Sequence, residues 1–150
     1  MKYIFDLAET TKIINRINQL SPTTKNLWGK MNVSQMLAHC TVTYEMVYTD
    51  KYPKPNSFKR FLLKTFVKKA VVSDKPYPKN GRTAPQFLIT STREFEEEKK
   101  KLIEYLKKTQ TLGESHFDNK ESHSFGKLTA QEWNNLFYKH IDHHLTQFGV

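Results

Sequence analysis

The sequence predicts an all-α fold: a four-helix bundle with a long crossover and an accessory helix between the second and third helices. Two observations predict it. Four segments open on a capping-box pattern and continue with apolar residues at helical spacing. The prolines and glycines fall between or beyond those segments, with Pro53, Pro55, Pro76, Pro78 and Pro85 gathered in one stretch. The chain has 150 residues, which suits one domain over 1–150. A domain of this size buries about 70% of the surface its unfolded chain exposes, so no disulfide or structural metal is needed to fold it. Hydrophobic residues are only 37%, but 10 Phe, 7 Tyr and 2 Trp can carry a core.

Asp6-Leu-Ala-Glu9 opens the first helix, which runs to about Leu20 with Ile13, Ile14 and Ile17 on one side. Asn32-Val-Ser-Gln35 opens the second, to about Thr49, aligning Met36, Cys40, Thr43, Tyr44 and Val47. The accessory helix lies in the crossover, residues 50–90. There Phe58, Phe61, Leu62 and Phe66 share a face, with Arg60, Lys64 and Lys68 in a row beside it. Ser91-Thr-Arg-Glu94 opens the third helix, to about Leu112, with Phe95, Leu102, Tyr105, Leu106 and Thr109 inward. Thr129-Ala-Gln-Glu132 opens the fourth, to about Phe148. Short links favour antiparallel neighbours, whereas the long one permits a crossover between parallel helices.

The net charge is +9, and all of it belongs to one segment. Residues 51–82 hold ten Lys and Arg against Asp74 alone, and the rest of the chain is balanced. The leading reading of this segment is structural, with the phenylalanines packed on the bundle and the lysines in water. Steering an anionic substrate or thiol toward a site comes next. Contact with nucleic acid or anionic lipid comes last, and no helix-turn-helix, RNA-binding signature or zinc-finger spacing supports a nucleic-acid partner. The single cysteine, Cys40, excludes an internal disulfide, and a reducing, cytoplasmic setting is the default expectation. The first residues do not read as a signal peptide, and no apolar run is long enough to span a membrane.

The histidines carry the chemistry. At about 100° per residue, His140 and His144 fall one turn apart in the middle of the fourth helix's apolar face, with His143 on its margin. His39 sits between Met36 and Cys40 on the inner side of the second helix. A buried imidazole without a partner costs about 1–3 kcal/mol, so these three rings need partners. Two readings satisfy that need: hydrogen bonds within the core, or one metal ion bound by all three through neutral imidazoles. Nitrogen ligands suit zinc, nickel or iron and do not rank them. Metal binding by such a set weakens below about pH 6, where histidines take up protons. Cys40 reads as apolar packing, Asp142 as a surface charge on the opposite side, and His116 and His123 as solvated loop residues.

Two blocks resemble a known family. They are Trp28-Gly-Lys-Met-Asn-Val-Ser-Gln-Met-Leu-Ala-His39-Cys40 and Phe125-Gly-Lys-Leu-Thr-Ala-Gln-Glu-Trp133, the latter continuing through Tyr138-Lys-His140-Ile-Asp-His143-His144-Leu-Thr-Gln147-Phe-Gly149. With Gly81-Arg-Thr-Ala-Pro85, they resemble an uncharacterised branch of the DinB-like (DinB/YfiT) superfamily. The resemblance covers nearly the whole chain and implies a four-helix bundle whose second and third helices run parallel. It also implies a divalent metal on His39, His140 and His144, with His143 and Gln147 beside the ligands. Better understood relatives in that superfamily are thiol-dependent S-transferases and an isomerase, a link by analogy only.

The expected function is therefore a metal-dependent enzyme acting on a small electrophilic substrate, as a thiol-dependent S-transferase or a hydrolase. The competing class is a non-catalytic metal- or ligand-binding protein. The expected partners are a small-molecule substrate and a low-molecular-weight thiol; a homodimer is compatible with the sequence. No residue is assigned as a general acid or base.

Overall fold

A computed structural model describes residues 2–150. The chain is mostly helical with one small two-stranded sheet. The helices are α1 (Leu7–Asn18), α2 (Val33–Tyr48), α3 (Ser57–Leu62), α4 (Lys68–Val72), α5 (Phe95–Phe117) and α6 (Ala130–Gln147). A π-helical segment, Leu63–Val67, joins α3 to α4, and the hairpin pairs β1 (Lys120–Ser122) with β2 (Gly126–Leu128).

Three of the four expected caps form. The Asp6 carboxylate accepts from the Glu9 N–H at 3.0 Å. Asn32 and Gln35 exchange bonds of 2.9 and 3.1 Å at the start of α2, and Thr129 and Glu132 do the same for α6 at 3.2 and 3.0 Å. Each closes backbone donors that the first turn would otherwise leave open. The fourth box does not form. Helix α5 begins at Phe95, with Glu94 at the cap position and no side-chain cap. Starting there turns both Phe95 and Glu98 inward, and Glu98 is met by Arg93 at 3.5 Å and Lys101 at 3.4 Å. A buried carboxylate needs that pairing.

The far end of α5 also differs from expectation. Gly113, at φ +73°, interrupts the helix, and one further turn delivers Phe117 into the core against Phe5, Trp133 and Phe137. The hairpin follows where a polar loop is expected. Its turn is held by Ser122, whose hydroxyl donates to the Gly126 carbonyl at 2.7 Å.

The core draws Ile13 and Ile17 from α1, Met36, Leu37, Cys40 and Tyr44 from α2, Leu102 and Leu106 from α5, and Trp133, Phe137, Ile141 and Leu145 from α6. Burial pushes the Cys40 thiol up, and the side chain serves packing, as expected. Asp142 accepts from Arg16 at 2.6 Å and so ties α6 to α1. His116 is exposed, whereas His123 is half-buried and bonded to Ser124 and the Tyr52 carbonyl, a correction to its solvated reading.

The crossover holds the main correction. Its helical stretch, residues 57–72, meets the body chiefly through α4 and not through the phenylalanines at 58, 61 and 66. Asn135 and Lys139 of α6 are buried and donate to the last carbonyls of this stretch: Asn135 to Val72 at 2.9 Å, Lys139 to Ala70 at 2.8 Å and Ser73 at 2.6 Å. They satisfy the free carbonyls at the end of α4. Phe58, Phe61, Leu62 and Phe66 remain exposed.

Candidate metal centre

Helices α2 and α6 bring His39, His140 and His144 together. His39 and His144 are buried, His140 is half-buried, and one ligand atom from each lies within 4.8 Å of the other two. The Nε2 atoms of His39 and His140 are 3.0 Å apart. Metal–nitrogen bonds of about 2.0–2.1 Å place two nitrogens on one ion roughly 3.0–3.4 Å apart, so this pair matches a shared ion.

Each ring is held by its other nitrogen. His39 Nδ1 lies 2.8 Å from the Phe87 carbonyl, which can only accept, so Nδ1 carries the proton and Nε2 the lone pair. His144 Nδ1 donates to Gln147 Oε1 at 2.8 Å. The Gln147 amide is oriented in turn by its Nε2, which donates to the Trp28 carbonyl at 2.7 Å. Glycine is required at position 29, where φ is +85° and any Cβ would meet Gln147 Nε2. His140 Nδ1 faces the Thr43 hydroxyl at 2.9 Å, a group able to donate or accept.

Proton accounting makes this arrangement informative. Two Nε2 lone pairs cannot face each other at 3.0 Å unless a proton or a cation lies between them. With a proton, His140 carries it on Nε2 and Thr43 donates to Nδ1. With a cation, His140 carries it on Nδ1 and donates to Thr43. The Thr43 rotor supports both states.

All three rings are neutral at pH 7. Burial holds the His39 pKa below the usual histidine range, partly opposed by the bond to Phe87. Burial pushes His144 down to about 3, and neighbouring His39 adds to it. Burial, then His144 and His39, place His140 well below its ordinary value. Neutral imidazole is the form that binds metal.

Tyr77 and Phe87 close over the rings from the crossover, their centroids 6.5 and 5.7 Å from that of His140. His143 lies outside the trio, edge-on to Trp28 at 5.9 Å, to Tyr77 at 5.8 Å and to His144 at 5.0 Å. It lines a cavity of about 570 Å³ together with Trp28, Tyr77, Lys79, Lys139 and Asp142. None of the trio reaches that cavity wall. Sequence reasoning named the three histidines, His143 and Gln147, and noted Thr43 only as part of an apolar stripe. It missed Phe87 and Tyr77, whose place depends on how the crossover folds back. The local signal available was Pro85, which begins the 3-10 turn Pro85–Phe87.

The molecule is thus a helical protein with a three-histidine cluster between two helices. It belongs to the family described as a protein of unknown function (DUF1569), whose model matches residues 4–149. No curated protein and no solved structure matches the chain.

Proposed function

We propose that this chain is a metal-dependent enzyme built as a single DinB-like four-helix-bundle domain over 1–150, with one divalent ion on His39, His140 and His144. The observation that carries the reading is the convergence of three neutral imidazoles within 4.8 Å, each with Nδ1 engaged by an oxygen. Phe87, Thr43 and Gln147 fix ring orientation, a task that outer partners of metal-bound histidines perform generally. A bound zinc, nickel or iron ion supplies Lewis acidity and lowers the pKa of a water or thiol. The chain's own residues supply the rest. Trp28 and Tyr77 offer apolar walls for a small electrophile, Lys79 supplies positive charge, and His143 can hold or accept a proton at the cavity wall. Thiol-dependent transfer and hydrolysis are the two reaction classes this supports.

One observation favours the non-catalytic alternative: the trio is set behind Tyr77 and His143 instead of lining the cavity. Metal analysis and a turnover screen separate the readings. Wild type should carry about one ion per chain, with His140→Ala and His144→Ala losing most of it and His143→Ala keeping it. The loaded protein should turn over either thiols with electrophilic acceptors or simple esters and amides. Full metal content in both alanine variants, or metal-free wild type after reconstitution, refutes the site. A loaded protein inert on both panels belongs to the binding class.

A further inference from the structure

Among the described residues, the face expected to pack on the body holds the largest group of exposed apolar side chains adjacent in sequence. Phe58 is 72% exposed, Phe61 63%, Leu62 37% and Phe66 74%. Single exposed apolar residues need no explanation, but a contiguous row of them marks an interaction surface.

The row is built, not frayed. Asn56 caps α3, accepting from the Lys59 N–H at 2.9 Å. The π-helical segment then bonds Lys68 N–H to the Leu63 carbonyl. A π turn closes on i+5 instead of i+4 and so rotates less per residue, which keeps Phe66 nearer the side of Phe61 over the five-residue step between them. In uninterrupted α geometry that five-residue step would rotate Phe66 away by roughly 140°. Arg60 pairs with Glu121 of the hairpin, and Lys68 pairs with Glu132 of α6 at 2.8 Å. Two ion pairs and the docked α4 thus hold the ridge against the body with its phenylalanines outward.

The surroundings are cationic. Lys54, Lys59, Lys64 and Lys69 are exposed along or beside the ridge, and no acidic residue occurs from 51 to 73. We propose that the ridge of residues 57–67 docks on an anionic lipid surface, with Phe58, Phe61 and Phe66 in the boundary between headgroups and acyl chains and the lysines among the headgroups. This is how a basic amphipathic helix lies on a bilayer. Charge argues against a second copy as the occupant, because two such faces would bring together two segments of like charge. Nucleic acid can take the lysines on its phosphates and stack bases on phenylalanine, but it offers nothing for the aliphatic Leu62 in the same row. A bilayer uses both halves of the pattern.

The test is flotation of the full chain with vesicles of phosphatidylcholine alone, or with about one third phosphatidylglycerol, across a salt series. Binding to the anionic vesicles should be at least about tenfold stronger than to neutral ones and should fall as salt rises. The combined variant Phe58→Ser, Phe61→Ser, Phe66→Ser should lose at least about tenfold in vesicle affinity with an unchanged melting curve, since these side chains make no core contacts. The combined variant Lys59→Glu, Lys64→Glu, Lys69→Glu should abolish the preference for anionic vesicles. Phe61→Trp should show a blue-shifted emission on adding anionic vesicles. Four results overturn the proposal: no flotation with anionic vesicles at low salt, serine variants that bind like wild type, tighter binding to a DNA oligonucleotide than to vesicles, or a concentration-dependent dimer that the serine variants abolish.

Discussion

Thr43 is the residue on which the histidine cluster turns. Its hydroxyl donates to His140 when that ring faces His39 through a proton, and accepts from it when a cation takes the proton's place. Replacing it with valine keeps the shape and removes the acceptor, leaving the buried Nδ1–H of His140 unpaired in the metal-bound state. Thr43→Val should therefore weaken metal affinity by about 10- to 100-fold, the usual effect of losing an outer partner. A competition titration against a coloured chelator measures it. Affinity equal to wild type would show that Thr43 plays no part in orienting the ring.

At the scale of elements, α6 is the organiser. One side of it enters the core, another carries the histidines, and a third holds α4 through Asn135 and Lys139. Lys139 is buried, and burial lowers its pKa to about 8, yet its ammonium still caps two carbonyls at the end of α4. Lys139→Met keeps the apolar stem and removes both hydrogen bonds. It should cost about 1–3 kcal/mol in urea unfolding and raise proteolysis within residues 57–72 before the rest of the chain is cut. Uniform cleavage with unchanged stability would mean that α4 is held by Val72 and its neighbours alone.

For the whole molecule, the buried histidines couple stability to pH. Their folded pKa values lie below the ordinary value, so between the two the unfolded chain binds more protons than the folded one. Stability is then complete above about pH 6.5 and falls as pH drops toward the folded values, by at most about 1.4 kcal/mol per pH unit for each histidine. The chelator-treated chain should show a lower urea midpoint at pH 5.5 than at pH 7.5, with His144→Gln reducing the difference. A midpoint that is flat or higher at pH 5.5 would contradict the burial of these rings. Zinc at about 100 times its Kd should add roughly 2.7 kcal/mol at pH 7.5. Because the folded rings resist protonation, metal should be retained below the pH 6 expected of ordinary histidines, until the fold itself yields.

Local chemistry determined much of this protein. Three helix starts were legible because a cap is a bond between residues three apart, and Asn32 with Gln35 needs nothing beyond its own turn. The pairing of His140 with His144 follows equally from helical periodicity. The start of α5 was not legible, because Phe95 and Glu98 are turned inward by partners and core that a local cap pattern does not describe. Periodicity also marked Phe58, Phe61, Leu62 and Phe66 as one face, but it could not say what that face meets. Only the tertiary structure decided that: α6 spends Asn135 and Lys139 on α4, so the helical stretch 57–72 is anchored at its C-terminal end and the aromatic row turns to solvent. Two of the three oxygens behind the histidines belong to the same category, whereas Gln147 lies within a turn of His144. Phe87 lies 48 residues from His39 and Thr43 lies 97 from His140, and no local pattern links groups brought together only by packing.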